Sequence, residues 1–317
     1  DPDLPPPLNV RKAACRAIME GYTRYSANAG LLELRRAISD DIRRSTGVEA
    51  DSEREIIVTV GAMEAAFLTL YSLVEPGDEV VIHAPYWINY SQVVRSLGAV
   101  PVFVYTRPED GFQLQADDLE AVLTKRTKVV VLNSPNNPTG AVIPEKTLEK
   151  IAELAQRCDF TVLSDEIYES LVYDGCRSRS IRGIPGMKER TVVINGMSKR
   201  FAMTGWRLGW AVGPEKLIAQ MTKMQENIVA CAPLPAQHAG IEALNKRTDT
   251  NYIREEFQRR RDLIYDGINA IDGLACRPVP ATFYAFVDIG RQNADVHILD
   301  VLFCNGNTHV ADLQFIH

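Results

Sequence analysis

Lys128-Val129-Val130-Val131-Leu132, the turn Ser134-Pro135-Asn136-Asn137-Pro138-Thr139-Gly140, the stretch Pro144 to Arg157 and the run Phe160-Thr161-Val162-Leu163-Ser164 together decide the fold. The two β-branched runs are apolar without alternation, which reads as strands buried on both faces. Pro144 and Glu145 open the stretch between them, as the first turn of a helix allows. A strand, a helix long enough to cross over and a second strand make a parallel pair.

Working outward, the same kind of run recurs at Glu55 to Val60, Glu79 to His83, Val100 to Val104 and Thr191 to Asn195, with Leu208 to Val212 after them. Helical segments lie between the runs, at Ala62 to Leu73, Ile88 to Leu97 and Ala116 to Leu123. Strands alternating with helices imply a three-layer α/β/α fold with a mostly parallel central sheet. From about Pro214 to Ile271 the pattern is helical, and Thr282 to Ile289 reads as one more strand. The Arg259-Arg260-Arg261 run follows Glu255 and Glu256 by about one turn, which predicts ion pairing on a solvated face.

Composition bounds the function. The chain has 317 residues, 46% hydrophobic and 24% charged, with a net charge of −6. That length suits two domains, and the charge gives a nucleic-acid partner no electrostatic support. Uncharged segments such as Val129 to Pro144 are broken by Pro, Gly and Asn, so no transmembrane helix and no membrane partner is expected. The start Asp1-Pro2-Asp3-Leu4-Pro5-Pro6-Pro7 has neither the basic opening nor the apolar run of a secretory signal and lacks an initiating Met, so a processed chain or a fragment is expected. Six cysteines, at 15, 158, 176, 231, 276 and 304, form no C-x-x-C pair and stand in no metal-ligand spacing with the five histidines. Free thiols in a reducing, cytoplasmic compartment and no metal site are the expectation.

Ligands of open α/β sheets sit beyond the carboxyl ends of the strands, so the residues that follow strands carry the chemistry. Gly61-Ala62-Met63-Glu64 follows the first strand and opens a helix, whose N-terminal amides suit an anion. Neither G-x-G-x-x-G nor G-x-x-x-x-G-K-[ST] occurs, which removes the usual support for a dinucleotide site or a P-loop. Ser134 to Gly140, Asp165-Glu166-Ile167-Tyr168 and Ser198-Lys199-Arg200-Phe201-Ala202-Met203-Thr204-Gly205-Trp206-Arg207 each follow a strand. Taken singly they are a turn, a helix cap and a surface lysine; their order and joint placement say more.

This set resembles the class I and II aminotransferases, the aspartate aminotransferase-like group of pyridoxal 5′-phosphate (PLP) enzymes with the type I fold. The likeness also takes in Asp1-Pro2-Asp3, Tyr22-Thr23-Arg24-Tyr25, Gly30 to Arg35 and Thr282-Phe283-Tyr284. It implies a large PLP-binding domain at residues 12–250 and a smaller, incomplete α+β domain made of residues 1–11 and 251–317. The implied activity is transfer of an amino group between an L-amino acid and a 2-oxo acid through a Schiff base on Lys199, which also serves as general base. Asp165 then holds the proton on the pyridine nitrogen, while Tyr168 and Asn137 bond the ring hydroxyl oxygen and Trp87 stacks on the ring. Arg207, Ser198 and the N–H groups of Ala62 and Met63 hold the phosphate. Tyr25 resembles a tyrosine that reaches the phosphate of the neighbouring subunit, which implies a homodimer.

The sequence departs from the family near its end. The family grips the substrate α-carboxylate with an arginine in a segment like R-I-S-x-A, and no arginine follows Arg291; nor does a P-G-x-x-F-G stretch occur. A lost bidentate contact of that kind is worth about 1.5–3 kcal/mol. Two other readings therefore stay open on the residues: a PLP-dependent lyase or synthase of the same fold, and a truncated, catalytically impaired PLP-binding paralogue or fragment that acts by dimerising. Some aspartate-specific relatives carry a lysine where this chain has Met63, so an apolar or broad substrate side chain fits at least as well.

Overall fold

The computed structural model describes residues 2–289 and 298–302. Two helices come first, α1 (Leu8–Met19) and α2 (Leu32–Thr46). Then strands and helices alternate: β1 (Ile56–Thr59), α3 (Ala62–Leu73), β2 (Glu79–Ala84), α4 (Asn89–Ser96), β3 (Val100–Tyr105), α5 (Ala116–Val122), β4 (Thr127–Asn133), α6 (Glu145–Cys158), β5 (Thr161–Asp165), β6 (Thr191–Gly196) and β7 (Gly209–Val212). The chain continues through α7 (Glu215–Ile228), α8 (Leu234–Ala243) and α9 (Asn251–Asn269) to β8 (Tyr284–Asp288) and β9 (Ile298–Leu302).

Seven strands form one sheet in the order β1-β7-β6-β5-β4-β2-β3. Neighbours are parallel from β3 across to β6, while β7 runs antiparallel to both β6 and β1. The mostly parallel sheet expected from the sequence is therefore present, with one reversed strand. Alternation along the strands sorts the core into two layers. Val80 and Ile82 of β2 and Val129 and Val131 of β4 pack with α3, α4 and α7; Val81, Val130 and Leu132 face α5 and α6. Pro101, which lacks a ladder donor, sits in β3 at the sheet edge, where no further strand needs it.

The expected helical region from Pro214 to Ile271 is present and consists of three helices. Ala230 takes a left-handed backbone (φ 62°) after α7, and Pro233 follows, so the helix stops and restarts. The arginine run departs from expectation. Arg259 and Arg260 pair with Glu256, but the Arg261 side chain is only 4% exposed, pairs with Asp174 at 2.7 Å and donates to the Val279 carbonyl at 2.9 Å. Three consecutive helical residues point about 100° apart, so they cannot share one solvated face.

Five of the six cysteines fall among the described residues and all are free thiols; Cys304 lies outside them. No helix among the described residues is long and apolar enough to cross a membrane. Arg291 and most of Val296 to His317, where the resemblance places the carboxylate-binding segment, also lie outside the described residues.

Candidate active site

The parallel register brings Asn133 at the end of β4 beside Asp165 at the end of β5, and β6 ends next to them at Gly196. The loops after these strands meet α3 and α4 around a cavity of about 610 Å³. Ala62, Met63, Trp87 and Asn137 line it, as do Asp165, Tyr168, Ser198, Lys199 and Arg207. Nine of the ten residues singled out from sequence thus share one cavity. The tenth, Tyr25, is 84% exposed and lies outside that lining.

Lys199 sits in the loop between β6 and β7, which is pinned at its root by Met197 N–H to the Leu208 carbonyl at 3.0 Å. Its Nζ stands 5.2 Å from the ring centre of Phe283 and 5.8 Å from that of Tyr168. Burial pushes the ammonium down to about 8; the positive charge of Arg207 adds to this and Asp165 opposes it. About one amine in ten is then neutral and nucleophilic at pH 7.

Asp165 is buried, and that burial pushes its carboxyl up to about 6. Oδ1 accepts the Ile167 N–H at 3.1 Å and Oδ2 accepts the Tyr90 hydroxyl. The carboxylate is therefore ionised near neutrality, and its two bonds fix its plane. The neighbouring Glu166 points the other way, as alternation requires, to Ser164 and Ser180, and burial pushes it up to about 8.

Asn137 is placed by its main chain: its N–H donates to Asn133 Oδ1 at 2.7 Å. Asn133 N–H in turn donates to His83 Nε2 at 3.1 Å, an acceptor because burial pushes that imidazole down to about 4 and keeps it neutral.

The opposite end of the cavity is built for an anion. Gly61 precedes α3 with φ 81°, and a side chain there would collide with the Arg207 guanidinium. A side chain at Gly209 would collide with the Ala62 amide nitrogen. Two glycines thus let Arg207 and the first amides of α3 converge, and amides of a helix's first turn have no carbonyl partner within the helix. Arg207 itself is held in the left-handed region (φ 52°), with Nη1 donating to the Thr204 carbonyl at 2.8 Å.

Two further cavity residues received no role from the sequence, although Tyr284 stands in the quoted Thr282-Phe283-Tyr284 stretch. Tyr90 stands in the first turn of α4, three residues after Trp87 in the segment that precedes the helix. Tyr284, from β8, lines the cavity and shares a 2.6 Å hydroxyl contact with Tyr168 across 116 residues of chain, for which no local signal exists. Chemically, the cavity offers an amine, a carboxylate, aromatic faces and an anion cradle in one space, which suits a flat, anion-bearing carbonyl compound.

Comparison with known proteins agrees. The profile of the family described as aminotransferase class I and II matches residues 1–312. The aspartate/prephenate aminotransferase of Thermus thermophilus is 42% identical over 292 residues, which cover 91% of this chain and 74% of that protein. The aspartate aminotransferase of Rhizobium meliloti strain 1021 is 42% identical over 289 residues, 90% of this chain and 70% of that protein. Among solved structures, the aromatic aminotransferase of Pyrococcus horikoshii OT3 superposes with a TM-score of 0.88 at 39% identity, covering 91% of this chain and 78% of that one.

Proposed function

This chain belongs to the class I and II aminotransferases, PLP-dependent enzymes that move an amino group between an amino acid and a 2-oxo acid, and we propose that the cavity residues divide that work as follows. The observation that carries the assignment is a lysine whose amine lies against the Tyr168 and Phe283 rings, in the same cavity as the buried Asp165, with an anion cradle at the far end. The donor set fits PLP: a guanidinium and helix amides for a phosphate, an amine for an aldehyde, a carboxylate for a pyridine nitrogen.

When bound, PLP supplies an aldehyde for amine exchange and a ring that accepts electron density from the substrate Cα. Lys199 would hold the cofactor through its amine, and that same amine would move the proton at the substrate Cα. Asp165 keeps a proton on the ring nitrogen, and Tyr90 and the Ile167 amide keep Asp165 aimed. Tyr168 and Asn137 hydrogen-bond the ring hydroxyl oxygen, and Trp87 covers the ring. Arg207, Ser198 and the Ala62 and Met63 amides hold the phosphate.

The assembly we propose is a homodimer in which Tyr25, exposed on its own subunit, reaches the neighbouring site. A division into residues 12–250 and a smaller unit of 1–11 with 251–317 is supported by Asp3 pairing with Arg260 and by the Tyr252 hydroxyl donating to the Pro5 carbonyl. Free thiols at all five described cysteines support a cytoplasmic location. Met63 and Phe283 on the cavity wall favour donors with apolar or mixed side chains over strictly acidic ones.

Borohydride reduction of the PLP-loaded protein followed by peptide mass mapping tests the central assignment. A pyridoxyl group on the peptide containing Lys199 is expected; attachment elsewhere, or none, overturns it. Pyridoxamine phosphate mixed with candidate 2-oxo acids then identifies the acceptor by return of the cofactor's visible band.

A further inference from the structure

Tyr168 is bonded by its hydroxyl to a residue from a distant part of the chain. The Tyr168 and Tyr284 hydroxyl oxygens are 2.6 Å apart, both side chains are buried, and their rings meet edge to face with centres 5.7 Å apart. The contact is fixed from behind. Just after Tyr168, the Leu171 carbonyl accepts the Thr282 N–H at 2.8 Å, and the Tyr173 N–H and hydroxyl donate to the carbonyls of Pro280 and Thr282. The segment that follows Tyr168 thus folds the 280–282 segment onto itself, and that segment delivers Tyr284 back over Tyr168.

We propose that Tyr284 is a positioning residue that directs the Tyr168 proton toward the ring oxygen of the cofactor. The proposal rests on the reading that Tyr168 faces that oxygen. Each phenol carries one proton and can also accept one. A Tyr168 that donates into the cavity has only its oxygen left for Tyr284, so Tyr284 becomes the donor in their contact. Consecutive hydroxyl bonds pointing the same way polarise and strengthen one another. Burial raises the Tyr168 phenol well above its ordinary range, so it stays protonated and remains a donor.

The test uses the PLP-loaded enzyme and reads the pH midpoint of the bound cofactor's visible absorption band in the wild type, Tyr168→Phe, Tyr284→Phe and the double variant. Tyr284→Phe is expected to move the midpoint in the same direction as Tyr168→Phe, by about 0.4–1 pH unit, the size set by one net hydrogen bond. In the Tyr168→Phe background it should add nothing, which isolates the pairwise effect. Phe257→Leu serves as a packing control: it thins the same aromatic cluster, 5.2 Å from Phe283, and leaves the hydroxyl pair intact. Its midpoint should match the wild type. If Tyr168→Phe moves the band and Tyr284→Phe does not, or if Phe257→Leu moves it as far as Tyr284→Phe does, the positioning role is overturned. If neither tyrosine variant moves the band, the placement of Tyr168 against the ring oxygen fails with it.

Discussion

The cavity has two walls of different origin. One is the carboxyl edge of the sheet, which supplies Asp165, Lys199 and Arg207 from the ends of β5 and β6 and the loop into β7. The other comes from the chain's C-terminal part and supplies Phe283 and Tyr284 at the start of β8. The sheet edge places each group by covalent continuity with a buried strand, so Asp165 and Lys199 can be desolvated and their proton affinities moved toward neutrality. The β8 wall is attached through main-chain and hydroxyl bonds to residues 171–173 and, among the described residues, lines the cavity with aromatic faces and a phenol but no charge. The groups proposed to move protons and hold the cofactor thus sit on the strand-anchored wall, and the one proposed to adjust them sits on the docked wall.

Removing the amine breaks that contrast most severely. Lys199→Ala is expected to lower turnover by about 10³-fold or more, since both attachment and proton transfer go with it. PLP retained through the phosphate cradle alone would then be reducible without labelling any peptide. In the cofactor-free wild type, the Lys199 amine should react with an acylating probe along a pH curve centred near 8. Asp165→Asn should shift that curve to lower pH, because Asp165 is what holds the amine's proton affinity up. A curve centred above 10 would mean that the sheet edge does not desolvate this group.

The cradle sharpens the contrast within the sheet edge itself. Gly61→Ala puts a side chain on a left-handed backbone and against the Arg207 guanidinium. Displacing the guanidinium forfeits a charge-assisted hydrogen bond worth about 1.5–3 kcal/mol, so PLP should bind roughly 10- to 150-fold more weakly in a fluorescence titration. Pyridoxal, which has no phosphate, should lose little. Equal losses for the two ligands would show that Gly61 shapes the cavity as a whole and not an anion site.

How far the two walls were legible follows from how each is built. The sheet edge declares itself locally: a β-branched run with a polar residue at or just after its carboxyl end, as in Phe160 to Asp165 or Thr191 to Lys199. Strand order was not legible, because the register that sets Asn133 beside Asp165 is a tertiary fact. Tyr284 could be quoted as part of a motif, but its contact with Tyr168 has no counterpart in spacing or periodicity. Arg261 misled for the opposite reason: a run of like residues reads as one surface, yet a helix turns each residue onto a different side.

That same arginine gives the smallest and most local test. Arg261 lies over the Tyr173 ring at 4.9 Å, pairs with Asp174 and bonds the Val279 carbonyl, so it ties α9 to both segments that hold the β8 wall in place. Arg261→Ala should cost about 1–3 kcal/mol in a urea titration, the range for leaving a buried carbonyl without its donor. Asp174 is more than half exposed and regains water, so the larger penalty of an abandoned buried charge does not arise. Arg259→Ala, two residues away, removes a largely exposed pair with Glu256 and should stay within about 0.5 kcal/mol of wild type. Because Arg261 reaches the cavity only through the wall, its variant should also move the cofactor's absorption midpoint in the direction expected for Tyr284→Phe, but by less. An unfolding cost without that spectral shift would mean that the wall keeps its place without α9, and that the bonds from residues 171–173 suffice to hold it.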